Sequence, residues 1–409
     1  MESIVLFDPA GVSGINLRKV ARKLGFKVIA VFTLPEKNLK ELYHDKELFK
    51  GWDDIILSDE RQEILDKLKT VSVRAAIAAT ESGVELADQI ANSLNLWGNS
   101  IDYSEERRNK SKMREILKIN GFSCPDFAQC DSLEKAIKFA KGHRFPLVIK
   151  TPKGAGTSQV YVCDHLKNLT EAFHKIYGQK NLYGQIADHA LIEEYIGGKE
   201  YVVDTFSDGE AVHVTDVWLY EKIDVANLKN IYYNVYSLSL DDPSLTNLIQ
   251  HAIKIVKAFR ILRGPAHMEL KEDPTRGPTL IEIGARLVGR NLSDLISKYT
   301  NFDPYRLMIE VFSNGKTQVP YPIVYQKHFG VAFCPIIQTG VIDNILGIEE
   351  IKKLKSYDSH SLNIKKGDFV SLNASVFTVP IVVYFAHANR EQIQRDLASA
   401  HKYFQLELG

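Results

Sequence analysis

The sequence predicts an α/β fold that continues into an α+β part. Strand-like apolar runs and helical segments alternate over the first hundred residues, with strands expected at Ser3–Phe7, Lys27–Phe32 and Arg74–Ala79. This order implies a parallel sheet flanked by helices. Further along, paired apolar runs separated by Gly-containing turns indicate antiparallel hairpins.

The remaining elements follow from helix-ending signals and short apolar runs. A turn at Asp8–Gly14 is expected before the first helix. Helices are predicted at Ile15–Leu24, Gly83–Leu94, Asn109–Asn120, Leu133–Lys141, Leu245–Phe259 and Glu391–Phe404. Further strands are predicted at Asp54–Leu57, Leu147–Lys150, Gln159–Val162, Leu191–Tyr195, Glu200–Phe206, His267–Leu270, Thr279–Ile283, Gly330–Pro335 and Phe377–Tyr384.

Composition narrows the function classes. The 409 residues include 51 basic and 51 acidic side chains, so the net charge is zero. That balance argues against bulk binding to nucleic acid or to an anionic membrane. The N-terminus has no basic leader region, and no apolar run has the roughly 18 residues of a membrane span. The four cysteines show no metal-ligand spacing, and they fit a reducing cytoplasm.

Two lysines indicate a phosphate site. Lys110 opens a predicted helix and Lys150 ends a buried strand. A buried ammonium group needs an anion, which a triphosphate would supply. The alternative is a surface lysine with a buried aliphatic stem.

The loop after Lys150 strengthens this interpretation. Gly154, Gly156, Thr157 and Ser158 lie between two strands, where backbone N–H groups and hydroxyls can face phosphate. By itself such a loop is also typical of an ordinary hairpin.

An acidic segment follows a later strand. Glu193, Glu194 and Ile196 lie where a hinge offers backbone groups to an adenine edge, and Glu200 is a candidate acceptor for ribose hydroxyls. An exposed acidic strand edge is the alternative.

The strongest signal is a pair of carboxylates on neighbouring strands. Glu269 and Glu282 both lie within apolar runs of a predicted hairpin. Facing carboxylates repel unless a cation lies between them, and hard oxygen ligands suit Mg²⁺. Arg286 follows on a Gly-rich exit, where it is placed to contact a phosphoryl group or an oxyanion. A structural Glu282–Arg286 ion pair is the alternative.

Together these motifs resemble the ATP-grasp superfamily. The resemblance rests on Asn109-Lys110 with Met113-Arg114, and on the lysine, loop, acidic and carboxylate motifs above, in the same order. Within the superfamily the chain is most similar to the L-amino acid ligases (dipeptide synthetases) and related carboxylate–amine ligases. The strings that carry this likeness are Gly264-Pro-Ala-His-Met-Glu269 and Ile281-Glu-Ile-Gly-Ala-Arg-Leu-Val-Gly289.

The resemblance implies a domain plan. A Rossmann-like N-terminal domain is expected at 1–108 and the ATP-grasp fold at 109–316, with a mobile lid subdomain at about 139–198. A C-terminal α+β portion at 317–409 would complete the ligase.

The resemblance also implies an activity and the residues that carry it. ATP would bind through the lysines, the glycine loop and the acidic segment, and Mg²⁺ (or Mn²⁺) through Glu269 and Glu282. A substrate carboxylate would form an acyl phosphate, and an amine would displace the phosphate to give an amide. Arg286, with the backbone near Gly289, would stabilise the tetrahedral oxyanion, and His267 is a candidate base or orienting group.

Other features are less specific. Gly284 stands where the superfamily commonly has a third metal ligand, Asn, which puts a second Mg²⁺ in question. Arg290 is a candidate residue of the acid pocket. Tyr232, Tyr233, Asn234 and Tyr236 line either the substrate cavity or an ordinary strand.

Three functions compete on this evidence. The first is a ligase joining a small acid or amino acid to an amine, with small-molecule partners only and a homodimer as a common assembly. The second is another ATP-grasp enzyme of the biotin-carboxylase or purine-pathway type. The third is an ATP-binding regulatory protein without catalysis.

Overall fold

The N-terminal part forms a parallel sheet covered by helices. The computed structural model describes residues 1–43, 48–225, 228–372 and 379–409. The strands are β1 (Ser3–Phe7), β2 (Lys27–Phe32), β3 (Asp54–Leu57) and β4 (Val73–Ala78), and the helices are α1 (Gly11–Lys23), α2 (Glu36–Tyr43), α3 (Arg61–Leu68) and α4 (Val84–Ser93). The strand order is β3-β2-β1-β4, with all three pairings parallel. The predicted parallel sheet is confirmed.

Helix α1 corrects one sequence prediction. The turn expected over Asp8–Gly14 is shorter, because the helix already begins at Gly11. Gly14 lies against the backbone of Pro9, and a Cβ there would be 2.2 Å from the Pro9 carbonyl oxygen. The glycines therefore serve close packing within the first helical turns as well as the turn itself.

A second, smaller sheet lies in the middle of the chain. After α5 (Lys110–Ile119) come β5 (Phe127–Cys130), α6 (Leu133–Lys141), β6 (Leu147–Lys150), β7 (Val160–Cys163), α7 (Leu166–His174) and β8 (Ala190–Glu194). The order is β5-β8-β6-β7, and the predicted β6–β7 hairpin is confirmed by the pairing of Lys150 with Val160. This unit has a core of its own, which includes Leu147, Ile149 and Phe173.

The largest sheet carries the acidic hairpin. Its strands are β9 (Lys199–Asp208), β10 (Val212–Val225), β11 (Leu228–Leu238), β12 (Arg263–Asp273), β13 (Gly277–Gly284), β14 (His328–Cys334), β16 (Tyr357–Leu362) and β18 (Ile381–His387). In the described part of the chain these eight strands run in the order β13-β12-β9-β10-β11-β14-β18-β16. The C-terminal strands thus extend the same sheet as the acidic hairpin.

Helices and a small sheet complete the molecule. They are α8 (Thr246–Ala258), α9 (Leu292–Tyr299), α10 (Pro304–Asn314), α11 (Ile348–Lys352), α12 (Arg390–Tyr403), β15 (Gly340–Leu346), β17 (Phe369–Val370) and β19 (Gln405–Leu408). The small sheet has the order β17-β15-β19. The strand predicted at Phe377–Tyr384 begins later, at Ile381, and Phe377 lies outside the described residues.

Two cores are shared between the N-terminal and large sheets. Leu6 and Ile77 belong to one core together with Phe206 and Trp218, and the second core joins Val5 to strands β9, β12 and β13. This packing holds the end of β4 against the acidic hairpin. None of the described helices is both long and apolar enough to span a membrane.

Candidate active site

The two carboxylates predicted to hold a metal lie opposite each other. Glu269 on β12 is the register partner of Glu282 on β13, so their side chains leave the same face of the sheet. Burial raises the pKa of Glu269, and the nearby carboxylates of Glu200 and Glu282 raise it further. Tyr232 donates a hydrogen bond to Glu269 Oε1 at 3.2 Å.

Lys110 joins this hairpin to the glycine loop. It lies at the N-terminus of α5, directly after the N-cap Asn109, whose side chain accepts from the Ser111 amide. Its Nζ lies 2.7 Å from Glu282 Oε1 and donates to the Gly154 carbonyl at 3.0 Å. The ammonium group of Lys110 on α5 therefore contacts both the glycine loop and one of the two carboxylates predicted to bind the metal.

Lys150 ends β6 against a buried ion pair. Its Nζ contacts Glu193 Oε1, while Arg114 Nε donates to Glu193 Oε2 at 2.9 Å. Burial lowers the pKa of Lys150 to about 8, although Glu193 opposes that shift. Arg114 and Lys150 together hold the pKa of Glu193 at about 2 against the opposing effect of its burial.

The loop between β6 and β7 has unusual backbone angles. Gly156 has φ +61°, and Thr157 and Gln159 also have positive φ, which is uncommon for residues with side chains. The amide of Lys110 donates to the Pro152 carbonyl, and Lys153 forms an ion pair with Glu85 of α4 at 2.7 Å. The loop, which includes Ser158, is thus tied both to α5 and to the N-terminal sheet.

The acidic segment at the end of β8 is held by basic side chains. The Glu193 side chain faces Lys150 and Arg114, so a contact with adenine from this position would use its backbone. Glu194 pairs with Arg276 at 2.7 Å, and Lys271 donates to the Ile196 carbonyl at 3.1 Å.

Glu200 lies between two lysines. Lys222 donates to its Oε1, and Lys271 lies 3.8 Å from its Oε2. The carboxylate faces the same side of the sheet as Glu269, since Glu200 pairs with Lys271 two positions along β12.

His267 lies on the same face and is oriented by an aspartate. Its Nδ1 is 2.7 Å from Asp204 Oδ1 on β9. Burial, with a further effect of Arg286, lowers the pKa of His267 to about 4, so the ring is neutral near pH 7. Burial also raises the pKa of Asp204 to about 7 and that of its strand partner Asp216 well above its usual range.

Arg286 leaves β13 beside the carboxylates. Its Nε lies 2.6 Å from Glu81 Oε2, and its Nη1 donates to the Leu287 carbonyl at 2.9 Å. Gly289 faces open space, since a Cβ at this position would meet no atom within 4 Å among the described residues. Arg290 has φ +60° and lies over the Phe333 ring at 5.7 Å.

The candidate substrate residues of the tyrosine-rich strand β11 have different neighbours. A register shift between Glu221 and Lys222 places Tyr232 opposite Lys222 and Asn234 opposite Glu221. Tyr232 therefore reaches Glu269, whereas Tyr233 stacks on His401 of α12 and Asn234 bonds to Glu221 and His401. Tyr233 and Asn234 thus contact α12 and Glu221, and their assignment to the substrate cavity stays a prediction.

Sequence reasoning gave no role to three charged residues of the site. Glu81, Lys222 and Asp204 are buried or nearly so. A charged residue inside an apolar strand is a signal of a buried polar site. Asp204, in the run that follows Glu200, is such a residue.

The donor set fits a hard divalent cation only in part. Glu269 and Glu282 supply carboxylate oxygens, which Mg²⁺ prefers. Within the residues that the structure describes, no cluster of three or more His, Cys, Asp or Glu side chains is arranged to hold a metal. Two carboxylates leave the rest of the shell to phosphate and water, which fits a metal that binds together with a nucleotide.

The sequence comparisons agree with this geometry. Residues 143–294 match the model of the ATP-grasp domain family. The chain is 28% identical over 294 residues to dapdiamide A synthase of Enterobacter agglomerans, covering 70% of this chain and 68% of that protein. It is 24% identical to the L-arginine-specific L-amino acid ligase of Bacillus subtilis, covering 88% of each chain.

Solved structures share the fold. The crystal structure of an L-amino acid ligase from Bacillus licheniformis superposes with a TM-score of 0.81 at 18% identity, covering 100% of this chain and 99% of that one. The N5-carboxyaminoimidazole ribonucleotide synthetase from Thermotoga maritima gives 0.68 at 16% identity, with 100% of each chain covered. At these identities the likeness shows the fold alone.

Proposed function

We propose, from the premise that this chain carries an ATP-grasp domain, that it is an ATP-dependent carboxylate–amine ligase. It joins an amino acid or another small carboxylic acid to an amine through an amide bond. ATP is converted to ADP and phosphate in the reaction. The two curated relatives described above carry names of synthases and ligases of this kind.

One observation carries the proposal. The ammonium group of Lys110 lies between Glu282 and the carbonyl of Gly154, so the carboxylate hairpin and the glycine loop converge on the same point. A triphosphate at this point would meet a cation, a loop backbone and an oxygen-ligand pair at once. This is the set of groups that a phosphoryl transfer needs.

The nucleotide is bound by residues of α5, of β6 and the loop after it, of the end of β8 and of β9. Lys110 and Lys150 neutralise the phosphates, and the loop Gly154–Ser158 covers them. Glu193, Glu194 and Ile196 contribute backbone groups to the adenine, and Glu200 accepts from the ribose. Both lysines contact carboxylates, which keeps their charges compensated within a buried site.

A divalent metal, Mg²⁺ or Mn²⁺, would be held by Glu269 and Glu282, and it would supply charge neutralisation at the phosphates. Lys110 stays beside Glu282 and orients that carboxylate. Tyr232 does the same for Glu269 through its hydroxyl.

The chemistry proceeds in two steps. A substrate carboxylate oxygen attacks the γ-phosphorus of ATP, the bond to the bridging oxygen of ADP breaks, and an acyl phosphate results. The amine nitrogen then attacks the acyl carbon, phosphate leaves, and the nitrogen loses a proton. Arg286 and the backbone near Gly289 stabilise the oxyanion of the tetrahedral intermediate.

His267 is placed to take up that proton. Its Nδ1 is engaged by Asp204, and its Nε2 forms no hydrogen bond with the described residues. If Nδ1 carries the hydrogen, then Nε2 offers a lone pair to an amine. Arg290, next to Gly289, is the residue that we assign to the carboxylic acid pocket.

The test is phosphate release from Mg·ATP with the common L-amino acids, singly and in pairs, with product masses recorded. We expect release that depends on particular pairs, and a product mass equal to the two substrates minus water. The Lys150→Ala variant, which lacks a phosphate contact, serves as the inactive control.

The outcomes separate the competing functions. Release that requires bicarbonate instead of an amine would replace this proposal with a carboxylase or purine-pathway type of reaction. Tight ATP binding without release in any combination would replace it with a regulatory ATP-binding role.

We also propose a cytoplasmic setting and a homodimer. All four cysteines are free thiols, and three of them are buried, which suits a reducing compartment. Sedimentation at several protein concentrations tests the dimer, and a concentration-independent monomer would exclude it.

A further inference from the structure

Glu81 of the N-terminal part joins two arginines at the candidate active site. It lies in the 3₁₀ turn Glu81–Gly83 that follows β4. Its Oε1 lies 2.6 Å from Arg108 Nη1, and its Oε2 lies 2.6 Å from Arg286 Nε. Glu81 is 6% exposed and Arg108 is 3% exposed. The bridge therefore links the N-terminal sheet, the segment before α5 and the end of β13.

The space for this carboxylate is left by a glycine. A Cβ on Gly284 would lie 2.6 Å from Glu81 Oε2 and 3.5 Å from Arg286 Cγ. The φ of Gly284 is outside the left-handed region, so an alanine is allowed there by the backbone. Gly284 is thus needed for space and not for conformation, because a side chain would displace the Glu81 carboxylate.

The bridge fixes the guanidinium group of Arg286. Nε is taken by Glu81 and Nη1 by the Leu287 carbonyl, while Nη2 donates to none of the described residues. A planar group held at two of its nitrogens keeps the direction of the third. Both hydrogens of Nη2 are therefore available to a substrate or an intermediate, in addition to the second hydrogen of Nη1.

We propose that Glu81 is a positioning residue for the reaction: it holds Arg286 in its working orientation, and Gly284 keeps the space that this requires. The inference rests on the proposed function, and it makes the N-terminal part of the chain a contributor to turnover. A structural ion pair would stabilise the fold without affecting the reaction step.

The decisive variant is Gly284→Ala, since it displaces the carboxylate without removing any charged group. We expect kcat to fall by about 10- to 100-fold, because a misplaced oxyanion donor loses most of its effect. The dissociation constant for ATP should stay at the wild-type value. Gly142→Ala is the matched control, because a Cβ there meets only an ordinary contact of 3.5 Å in a different subdomain.

A second variant tests the same contact by removing the Glu81 carboxylate instead of displacing it. Glu81→Ala removes the carboxylate and opens the space beside Gly284. We expect a similar loss of kcat, partial recovery on adding formate, and no recovery with chloride at equal ionic strength. In the Glu81→Ala background, Gly284→Ala should cost nothing further, because the two changes act on one contact. If Glu81→Ala does not fold, Glu81→Asp, which shortens the carboxylate arm, replaces it.

These experiments separate this inference from the proposed function. Wild-type turnover by Gly284→Ala, or a loss confined to ATP affinity or to melting temperature, would overturn the positioning role alone. Equal recovery with formate and chloride would do the same. Absence of amine-dependent phosphate release in the wild-type protein would overturn both.

Discussion

Burial lowers the pKa of Lys150, so its protonation is sensitive to a nearby anion. Its pKa is lowered to about 8 by burial, and the neighbouring Arg114 and Lys110 lower it too, against the effect of Glu193. A triphosphate adds negative charge beside the ammonium group and therefore favours its protonated form. In the proposed nucleotide site, we therefore expect proton binding by Lys150 and ATP binding to be coupled.

This coupling predicts a pH dependence of ATP affinity. Above about pH 8 the unliganded site loses the Lys150 proton, so affinity should fall as the pH rises from 7 to 9.5, by at most tenfold per pH unit. Lys150→Arg keeps its charge throughout and should show little of this fall. Calorimetric titration with a non-hydrolysable ATP analogue measures both. Lys112→Arg, a half-exposed residue paired with Glu115, should behave as the wild type. An equal decline in Lys150→Arg would contradict the assignment.

Arg286 should matter for turnover and not for nucleotide binding. Arg286→Ala removes the donor that we assign to the oxyanion, and the loss of such a donor typically costs about 10²–10³ in rate. We therefore expect kcat to fall by this factor at an unchanged dissociation constant for ATP, measured by phosphate release and by titration. Arg306→Ala, an exposed residue paired with Glu310, is the control. Near-normal turnover of Arg286→Ala would refute the role.

For single residues, the sequence predicted which side chains belong to the candidate site better than it predicted their contact partners. Glu269 and Glu282 were predicted to face each other because they lie in two runs with strand spacing, and the register confirms this. The pairing of Glu193 with Arg114 joins residues 79 positions apart. No local pattern encodes such a contact, since it depends on how α5 packs against β8.

The glycine loop contains one glycine in a left-handed conformation. Gly156 has φ +61° within the loop, and Gly178, in the same small-sheet unit, has φ +71°. An alanine at either position adopts a left-handed conformation that costs about 1–2 kcal/mol. The two positions therefore carry similar backbone strain in different surroundings.

This pair provides a matched test of the loop. Gly156→Ala and Gly178→Ala should destabilise the unit by similar amounts, but Gly156→Ala alone should raise the KM for ATP, by about tenfold if one phosphate contact worth about 1.4 kcal/mol is lost. Urea unfolding gives the first quantity and initial rates give the second. An equal KM for the two variants would remove the loop from the nucleotide site.

Hairpins with plain apolar strands were predicted, and the hairpin with mixed strands was not. The β6–β7 and β12–β13 hairpins follow from short apolar runs. The β10–β11 hairpin was missed because charged residues such as Glu221 and Lys222 interrupt its pattern. Those charges are tolerated since Glu221 receives bonds from Asn234 and Tyr236, and Lys222 bonds to Glu200.

At the scale of the whole molecule, the arrangement of the hydrophobic cores predicts which parts of the chain unfold together. The N-terminal and large sheets share cores, whereas the small sheet of β5–β8 has a core of its own. We therefore expect the first two to unfold together and the small-sheet unit to open at a lower free energy. Arg107 further connects the N-terminal part to the large-sheet part. It bonds to Asp88 of α4 at 2.7 Å and to the carbonyl of Phe259 after α8 at 3.0 Å.

Removing the charge of Asp88 tests whether the N-terminal and large sheets unfold together. Asp88→Asn leaves the buried guanidinium of Arg107 without its anion, which should cost about 3–5 kcal/mol. In scanning calorimetry the main transition should move down as one peak, because the two sheets unfold as a unit. Asp164→Asn breaks an exposed pair with Lys229 and should cost at most about 1 kcal/mol. If the variant instead shows a separate early transition for residues of the N-terminal sheet, the two sheets unfold independently, and the shared cores do not couple them.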